Sequence, residues 1–300
     1  MNQANSVRAW SPDGFPLRLL RWGQAGPALS LLHGFGDGAH IWSDVAPRLA
    51  AGFRVHALDL RGHGESGWAP DGRYAARDHC RDLEAALDML GIEQTVLIGH
   101  SLGGYVATLF AARYPARVSR LAILDIGPDV DHTAATQVRQ QVASRPARYA
   151  TCEAYADHLR SSYILASDKQ LADIARASLR PLAEGGYALK LDPALRVRPP
   201  PPQQDFSQSF RQALVDVECP TLVLRGEASA ILRRNVAVGM VTHWLRRATL
   251  ATVPRAGHAL LIDNPSHVAE SLARFVADVA GPTDNGSPQV CRPPGAEGAP

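Results

Sequence analysis

Lysine is almost missing from this chain. Of 31 Lys and Arg residues only Lys169 and Lys190 are lysine, and the preference for arginine reads as codon usage in a GC-rich genome. Acidic residues number 29, so the formal net charge is only +2. With no surplus of either sign, charge offers no grip for nucleic acid or an anionic membrane surface, and neither is expected as a partner. Cysteine is also scarce. Cys80, Cys152, Cys219 and Cys291 lie far apart with no C-x-x-C pair, which argues against a zinc site or a dense disulfide framework. That usage fits a reduced, cytoplasmic compartment. No apolar run approaches the roughly 20 residues that a membrane helix needs. The opening MNQANSVRAWSPDGF lacks the basic start and apolar stretch of a secretory signal.

What is present is the composition of a globular enzyme-sized chain, with 300 residues, 46% hydrophobic and 20% charged. Short apolar runs alternate with amphipathic stretches. Ala28–Leu32, Val55–Leu60, Thr95–Ile98, Leu121–Leu124 and Thr221–Leu224 read as strands of a parallel sheet covered on both faces, since such strands are apolar almost throughout. His79–Leu90 puts Leu83, Leu87 and Leu90 on one helical face and stops at Gly91. Leu102–Tyr114 is apolar nearly all round and ends before Pro115, as a buried helix would. Asn264-Pro265 opens a last helix, Asn as N-cap and Pro at the first helical position.

The alternation breaks between residues 128 and 216. Helical patterns take over at Ala134–Val142, at Cys152–Tyr163 and after the capping box Ser167-x-x-Gln170, and Pro199–Pro202 makes a stiff connector. The predicted organisation is a core at 1–127, a helical insertion at 128–216, the rest of the core at 217–281, and a Gly/Pro-rich disordered tail at 282–300.

The strongest chemical signal is TVLIGHSLGG at 95–104, in which Gly99-His100-Ser101-Leu102-Gly103 fits G-x-S-x-G between a strand-like run and a buried helix. A serine on so tight a strand-to-helix turn is strained and its Oγ projects outward; glycines two residues to either side avoid collision with the neighbouring elements. The helix N-terminus adds partial positive charge beside the nucleophile.

At this point the chain resembles the α/β-hydrolase family, in its esterase-like branch with a helical cap, from about residue 15 to residue 280. The resemblance rests on four segments in order: HGFGDG (33–38), DLRGHGES (59–66), GHSLGG (99–104) and AGHALL (256–261). It implies a mostly parallel eight-stranded sheet with helices on both faces and a helical cap. It also implies Ser101 as nucleophile, His258 as general base, and an oxyanion hole made by the backbone N–H groups of Phe35 and Leu102. His33 and His63 are then scaffold residues, and His100 lines the pocket without acting as a base.

The acid departs from the family pattern. Its usual place, three residues after the glycine in Arg225-Gly226-Glu227-Ala228-Ser229-Ala230, holds Ser229, which cannot carry the charge. Two carboxylates are credible, Asp125 as the expected acid and Glu227 as the alternative. Asp125 ends the run RLAILD, a place from which some family members draw the acid, and Glu227 lies in the conventional loop two residues early. Ser229 is a candidate fourth member, donating a hydrogen bond to the acid or the histidine.

The expected activity is hydrolysis of a small-molecule carboxylic ester through an acyl-enzyme, with no metal or organic cofactor. Serine rather than aspartate at 101 argues against dehalogenase and epoxide hydrolase chemistry. Carbon–carbon bond hydrolysis, lactone hydrolysis or acyl transfer would use the same residues, and a non-catalytic ligand-binding relative is the alternative of a different class. Tyr149, Tyr155, Leu159, Tyr163, Ile164 and Leu165 suggest either an apolar acyl pocket in the insertion or its own packing. Oligomeric state is left open.

Overall fold

The five apolar runs do pair side by side. The computed structural model describes residues 4–198 and 200–277, so the tail expected at 282–300 and Cys291 lie outside the described residues. An antiparallel hairpin, β1 (Asn5–Trp10) and β2 (Pro16–Trp22), starts the sheet and turns at Gly14 with φ of 87°. The strands β3 (Ala28–Leu32), β4 (Arg54–Leu58), β5 (Thr95–His100) and β6 (Val118–Leu124) follow. The chain then leaves the sheet for a separate antiparallel trio, β7 (Arg148–Tyr149), β8 (Leu179–Pro181) and β9 (Tyr187–Leu189), and returns for β10 (Thr221–Gly226) and β11 (Ala248–Val253). The main sheet has eight strands in the order β1-β2-β4-β3-β5-β6-β10-β11, parallel from β4 onward. Every residue of β3, β5 and β10 is buried, which is why these strands read as unbroken apolar runs.

Helices cover both faces. After β3 come α1 (Ala46–Leu49), α2 (Ala76–Met89) and α3 (Leu102–Arg113); the insertion holds α4 (His132–Ala143), α5 (Cys152–Leu159), α6 (Asp168–Ser178), α7 (Pro193–Val197) and α8 (Gln203–Asp216); α9 (Arg234–Gly239), α10 (Leu260–Asp263) and α11 (Pro265–Val276) close the chain. One layer is α2, α3 and α8, and the other is α1, α10 and α11. The N-caps are those read from the chain. Ser167 accepts from the Gln170 N–H with the Gln170 side chain returning the bond, and Asn264 accepts from the His267 N–H ahead of Pro265. Fully buried Trp42, Phe110 and Phe210 each contribute about 1.5–3 kcal/mol of burial.

Two local expectations shift. The helix predicted over Cys152–Tyr163 ends at Leu159, and the segment 128–216 carries the three-stranded sheet as well as helices. Those strands are two or three residues long, too short for a period-2 pattern to show. The last helix of that segment, α8, packs along α3 beside the sheet. Cys80, Cys152 and Cys219 are free thiols. Among the described residues no helix is long and apolar enough to cross a membrane.

The winding reverses between β3 and β5, and there the strand ends open into a crevice, the usual place for a ligand in such a sheet. The turn after β5 is forced. A Cβ on Gly99 would lie 2.2 Å from the Gly103 carbonyl oxygen, and one on Gly103 would lie 2.5 Å from the Leu32 carbonyl oxygen. Backbone cannot retreat as a flexible side chain can, so Gly99→Ala should cost about 1–3 kcal/mol or more. A thermal melt checks this, with Tm expected to fall by about 5 °C or more; an unchanged Tm would mean the turn has slack.

Candidate active site

Adjacent strand ends bring together side chains that are far apart in sequence. Ser101 follows β5 at φ 51°, ψ −119°, a conformation rare for a residue with a side chain, and its N–H is tied to the Leu124 carbonyl at 2.9 Å. Asp125, the first residue after β6, also has positive φ, 53°, and its N–H reaches the Leu224 carbonyl of β10 at 2.8 Å. His258 lies in the turn after β11, close against Gly226, where a Cβ would meet the Gly257 carbonyl oxygen at 2.1 Å.

These three residues form one hydrogen-bonded chain. His258 Nδ1 lies 2.9 Å from Asp125 Oδ2, and His258 Nε2 lies 3.0 Å from Ser101 Oγ. A carboxylate only accepts, so Nδ1 carries the proton and Nε2 is left to accept from the serine hydroxyl. Asp125 is fully buried, while the His258 side chain is 20% exposed toward the crevice. Burial of a carboxylate is expensive unless donors replace its water. Asp125 has three: the Gly226 N–H at 2.8 Å on Oδ1, and on Oδ2 both His258 and the Ser229 hydroxyl at 2.5 Å. Ser229 in turn accepts from the N–H groups of Ile231 and Leu232, each at 3.2 Å, which aims its proton at the carboxylate. The alternative carboxylate is elsewhere. Glu227 is exposed, and its Oε2 caps the N–H of Arg255, another residue with positive φ.

The segment after β3 lies across from the serine, where a Cβ on Gly34 would stand 3.3 Å from Ser101 Cβ. Leu102 is the first residue of α3, so its N–H has no acceptor within the helix. Among the described residues no acceptor takes the Phe35 N–H. His33 fixes the turn, donating from Nδ1 to the Gly34 carbonyl at 2.8 Å and accepting at Nε2 from the Leu60 N–H at 3.0 Å. It thereby staples the segment after β3 to the one after β4. Asp59 does the same in reverse, accepting from Ala39 N–H at 2.6 Å and Glu65 N–H at 2.9 Å.

Reading the chain alone missed several supports. Buried His100 holds the His258 carbonyl through Nε2–H at 2.8 Å, so it orients the turn rather than lining the cavity. From the insertion, Arg145 donates to the Gly36 carbonyl at 2.9 Å and Tyr163 donates to Asp37 at 2.8 Å, clamping the segment that carries Phe35. Burial pushes the Asp37 carboxyl up against the opposing pull of Arg145 and of the Tyr163 bond. Asp37 lies inside HGFGDG and could have been flagged; nothing in the sequence around Arg145 or Tyr163 points to that contact. Tyr149, Tyr155 and Leu159 are buried as packing of the insertion, Tyr163 is buried against Asp37, and Ile164 and Leu165 are exposed, so none of the six lines the crevice.

Burial lowers His33 to about 4, and burial together with the charge of a neighbouring histidine lowers His63 and His100 to about 3. An unfolded histidine takes its proton near 6.5. These three refuse it, so their contribution to stability is present above about 6.5 and is lost as pH falls toward 3–4. In an NMR titration their ring signals should stay flat between pH 8 and pH 5; a midpoint near 6.5 for His100 would contradict its burial.

The crevice is a cavity of about 1570 Å³ reached by Ser101, Leu102, Phe35 and His258, with apolar walls from Ile126, Val130, Val138, Leu195, Phe206 and Ile231. Among the described residues no group of three or more His, Cys, Asp or Glu is placed to hold a metal ion. Such a strained serine, paired with an imidazole at the open end of this sheet, belongs to a recognisable class, and residues 27–265 match the family model for the alpha/beta hydrolase fold. The chain belongs to that family of hydrolases. It is 29% identical over 263 residues to sn-1-specific diacylglycerol lipase ABHD11 of Mus musculus, covering 84% of this chain and 81% of that one. It is 40% identical over 110 residues to an uncharacterized protein of Mycobacterium tuberculosis, a match spanning 37% of this chain and 32% of that relative. The crystal structure of E-2-(acetamidomethylene)succinate hydrolase superposes with a TM-score of 0.82 over 92% of this chain and all of that one; at 23% identity this likeness is one of fold.

Proposed function

We propose that this hydrolase is a carboxylic ester hydrolase working through a Ser101–His258–Asp125 triad. The observation that carries the reading is the continuous chain of bonds, 3.0 Å and 2.9 Å long, from the Ser101 hydroxyl through the imidazole to a buried carboxylate. Ser101 Oγ attacks the ester carbonyl while its proton passes to His258 Nε2. The tetrahedral oxyanion is held by the N–H groups of Phe35 and Leu102, fixed donors that need no reorganisation as charge develops. The imidazolium, kept in register by Asp125, returns the proton to the departing alcohol, and water then hydrolyses the acyl-enzyme by the same route in reverse. Ser229 acts through Asp125, filling the lone pair that faces away from the ring.

The segment 128–216 serves as the cap over the strand ends, and its bonds to Gly36 and Asp37 couple it to the oxyanion loop. The name of the mouse relative, a diacylglycerol lipase, supports an ester as substrate. Composition and free thiols support a cytoplasmic setting. A fluorophosphonate probe tests the reading: it should label the protein at Ser101 and abolish hydrolysis of a short p-nitrophenyl ester. An unlabelled protein that still binds ligands would instead be the non-catalytic relative.

A further inference from the structure

The cavity over Ser101 is apolar in its walls but arginine-rich at its edge. Arg77, Arg81, Arg113, Arg139 and Arg198 all line it, against the carboxylates of Asp205 and Asp216 on the α8 side. Most of these arginines have ordinary surface lives. Arg81 faces Asp13 at 3.7 Å and Arg113 lies on Tyr114. Arg139 is different. It projects from α4 as a half-buried side chain, its guanidinium carbon 5.1 Å from the centre of the Phe35 ring, whose residue follows the Gly34 that abuts Ser101. One Nη donates to the Arg198 carbonyl at 2.6 Å, and Arg198 itself reaches back to the Gly72 carbonyl at 2.7 Å. Neither guanidinium has a carboxylate partner among the described residues. Burial and the charge of Arg198 both press the Arg139 proton affinity down. The two guanidinium groups line the same cavity as Ser101, Arg139 half-buried and Arg198 exposed, with no carboxylate among the described residues to neutralise either, so an anion entering there would meet uncompensated positive charge.

Resting on the ester-hydrolase reading above, we propose that Arg139 and Arg198 form a subsite for an anionic oxygen group of the substrate, a carboxylate or phosphate carried by the ester. A planar guanidinium matches either group with two parallel N–H donors. With one Nη held on the Arg198 carbonyl, the other Nη of Arg139 makes no hydrogen bond among the described residues and can donate to one oxygen of the anion. The apolar walls then take the carbon chain between the anion and the scissile carbonyl. The preferred substrates of this site are therefore carboxylic esters that carry a further carboxylate or phosphate group, with simple neutral esters turned over less well.

The test compares matched esters: 4-nitrophenyl hydrogen glutarate, its neutral methyl ester, and 4-nitrophenyl 4-phosphonobutanoate. The readout is the ratio of kcat/KM for each charged ester to that for the neutral one, so that any general disturbance of the Phe35 loop cancels. In the unmutated protein one charged ester should be preferred, which distinguishes carboxylate from phosphate. R139Q should lower that ratio about tenfold or more, R198Q should lower it in the same direction, and R139K should restore part of it. Raising salt from 0.05 to 0.5 M should lower the ratio in the unmutated protein, as screening requires. A ratio unchanged within twofold in both glutamine variants overturns the subsite while leaving the ester reading intact. If none of the esters turns over, the ester reading fails, and calorimetric titration of the S101A protein with glutarate and with phosphate still decides the subsite. Binding weakened by R139Q supports it, and no binding of either anion overturns it.

Discussion

Replacing Ser101 with alanine should lower kcat on a p-nitrophenyl ester by about 10⁵–10⁶-fold, because the proposed triad would act as a unit and its nucleophile would have no substitute. That corresponds to roughly 7–8 kcal/mol of lost transition-state stabilisation at about 1.4 kcal/mol per tenfold. The fold should survive. Ser101 Oγ bonds to His258 Nε2 on a side chain that is 20% exposed and that water can reach, and the backbone of the turn is held by the Ser101 N–H bond to Leu124 and the close approach that Gly99 and Gly103 allow, not by the side chain. Circular dichroism and Tm should therefore match the parent within a few degrees while burst and steady-state phases both vanish. A residual rate within a hundredfold of the parent would move the nucleophile elsewhere.

Asp125→Asn should cost about a thousandfold or more in kcat, and the reason is a proton count. Asp125 accepts three hydrogen bonds, from Gly226 N–H, Ser229 and His258. The backbone N–H cannot turn round, so the asparagine oxygen must face Gly226 and its NH₂ must face Ser229 and His258. The Ser229 hydroxyl already accepts from the Ile231 and Leu232 N–H groups, so it has no lone pair left for the NH₂ and that bond is lost as well. The imidazole can only accept at Nδ1 by moving its proton to Nε2, which then points at Ser101 and cannot serve as a base. Glu227→Gln is the paired control. Its carboxylate caps Arg255 N–H on the surface, so kcat should change by less than about threefold. A large loss in the Glu227 variant with none in the Asp125 variant would reverse the assignment of the acid.

Much of the architecture was legible in the chain because it depends on local period and punctuation. β3, β5 and β10 are buried on both faces and so read as uninterrupted apolar runs; Gly91, Ser167 and Asn264-Pro265 mark helix ends by their own backbone chemistry. The elbow was legible too, since only glycine at 99 and 103 fits a turn so close to β3. Its partner His258 was legible as a histidine after the last strand-like run and a glycine.

The acid was not decided at that level. Asp125 is preferred there because it ends an apolar run, and Glu227, after Arg225-Gly226 in the conventional loop, stays as the alternative, but sequence position cannot close the choice. The choice is made by β6 lying between β5 and β10, which sets Asp125 directly beside the end of β5, while Glu227 turns outward to the Arg255 N–H. The vacancy left by serine at 229 is likewise meaningful only once its hydroxyl is seen on the Asp125 carboxylate. Arg145, Tyr163 and Arg139 were silent for the same reason: each acts through a contact with residues 33–38, about a hundred positions or more away in the chain. Local pattern determines which segments become strands, helices and turns, because burial and backbone satisfaction are settled within a few residues. Which side chains then share a proton or face an anion depends on strand order and on how the insertion folds back, and those are properties of the tertiary structure alone.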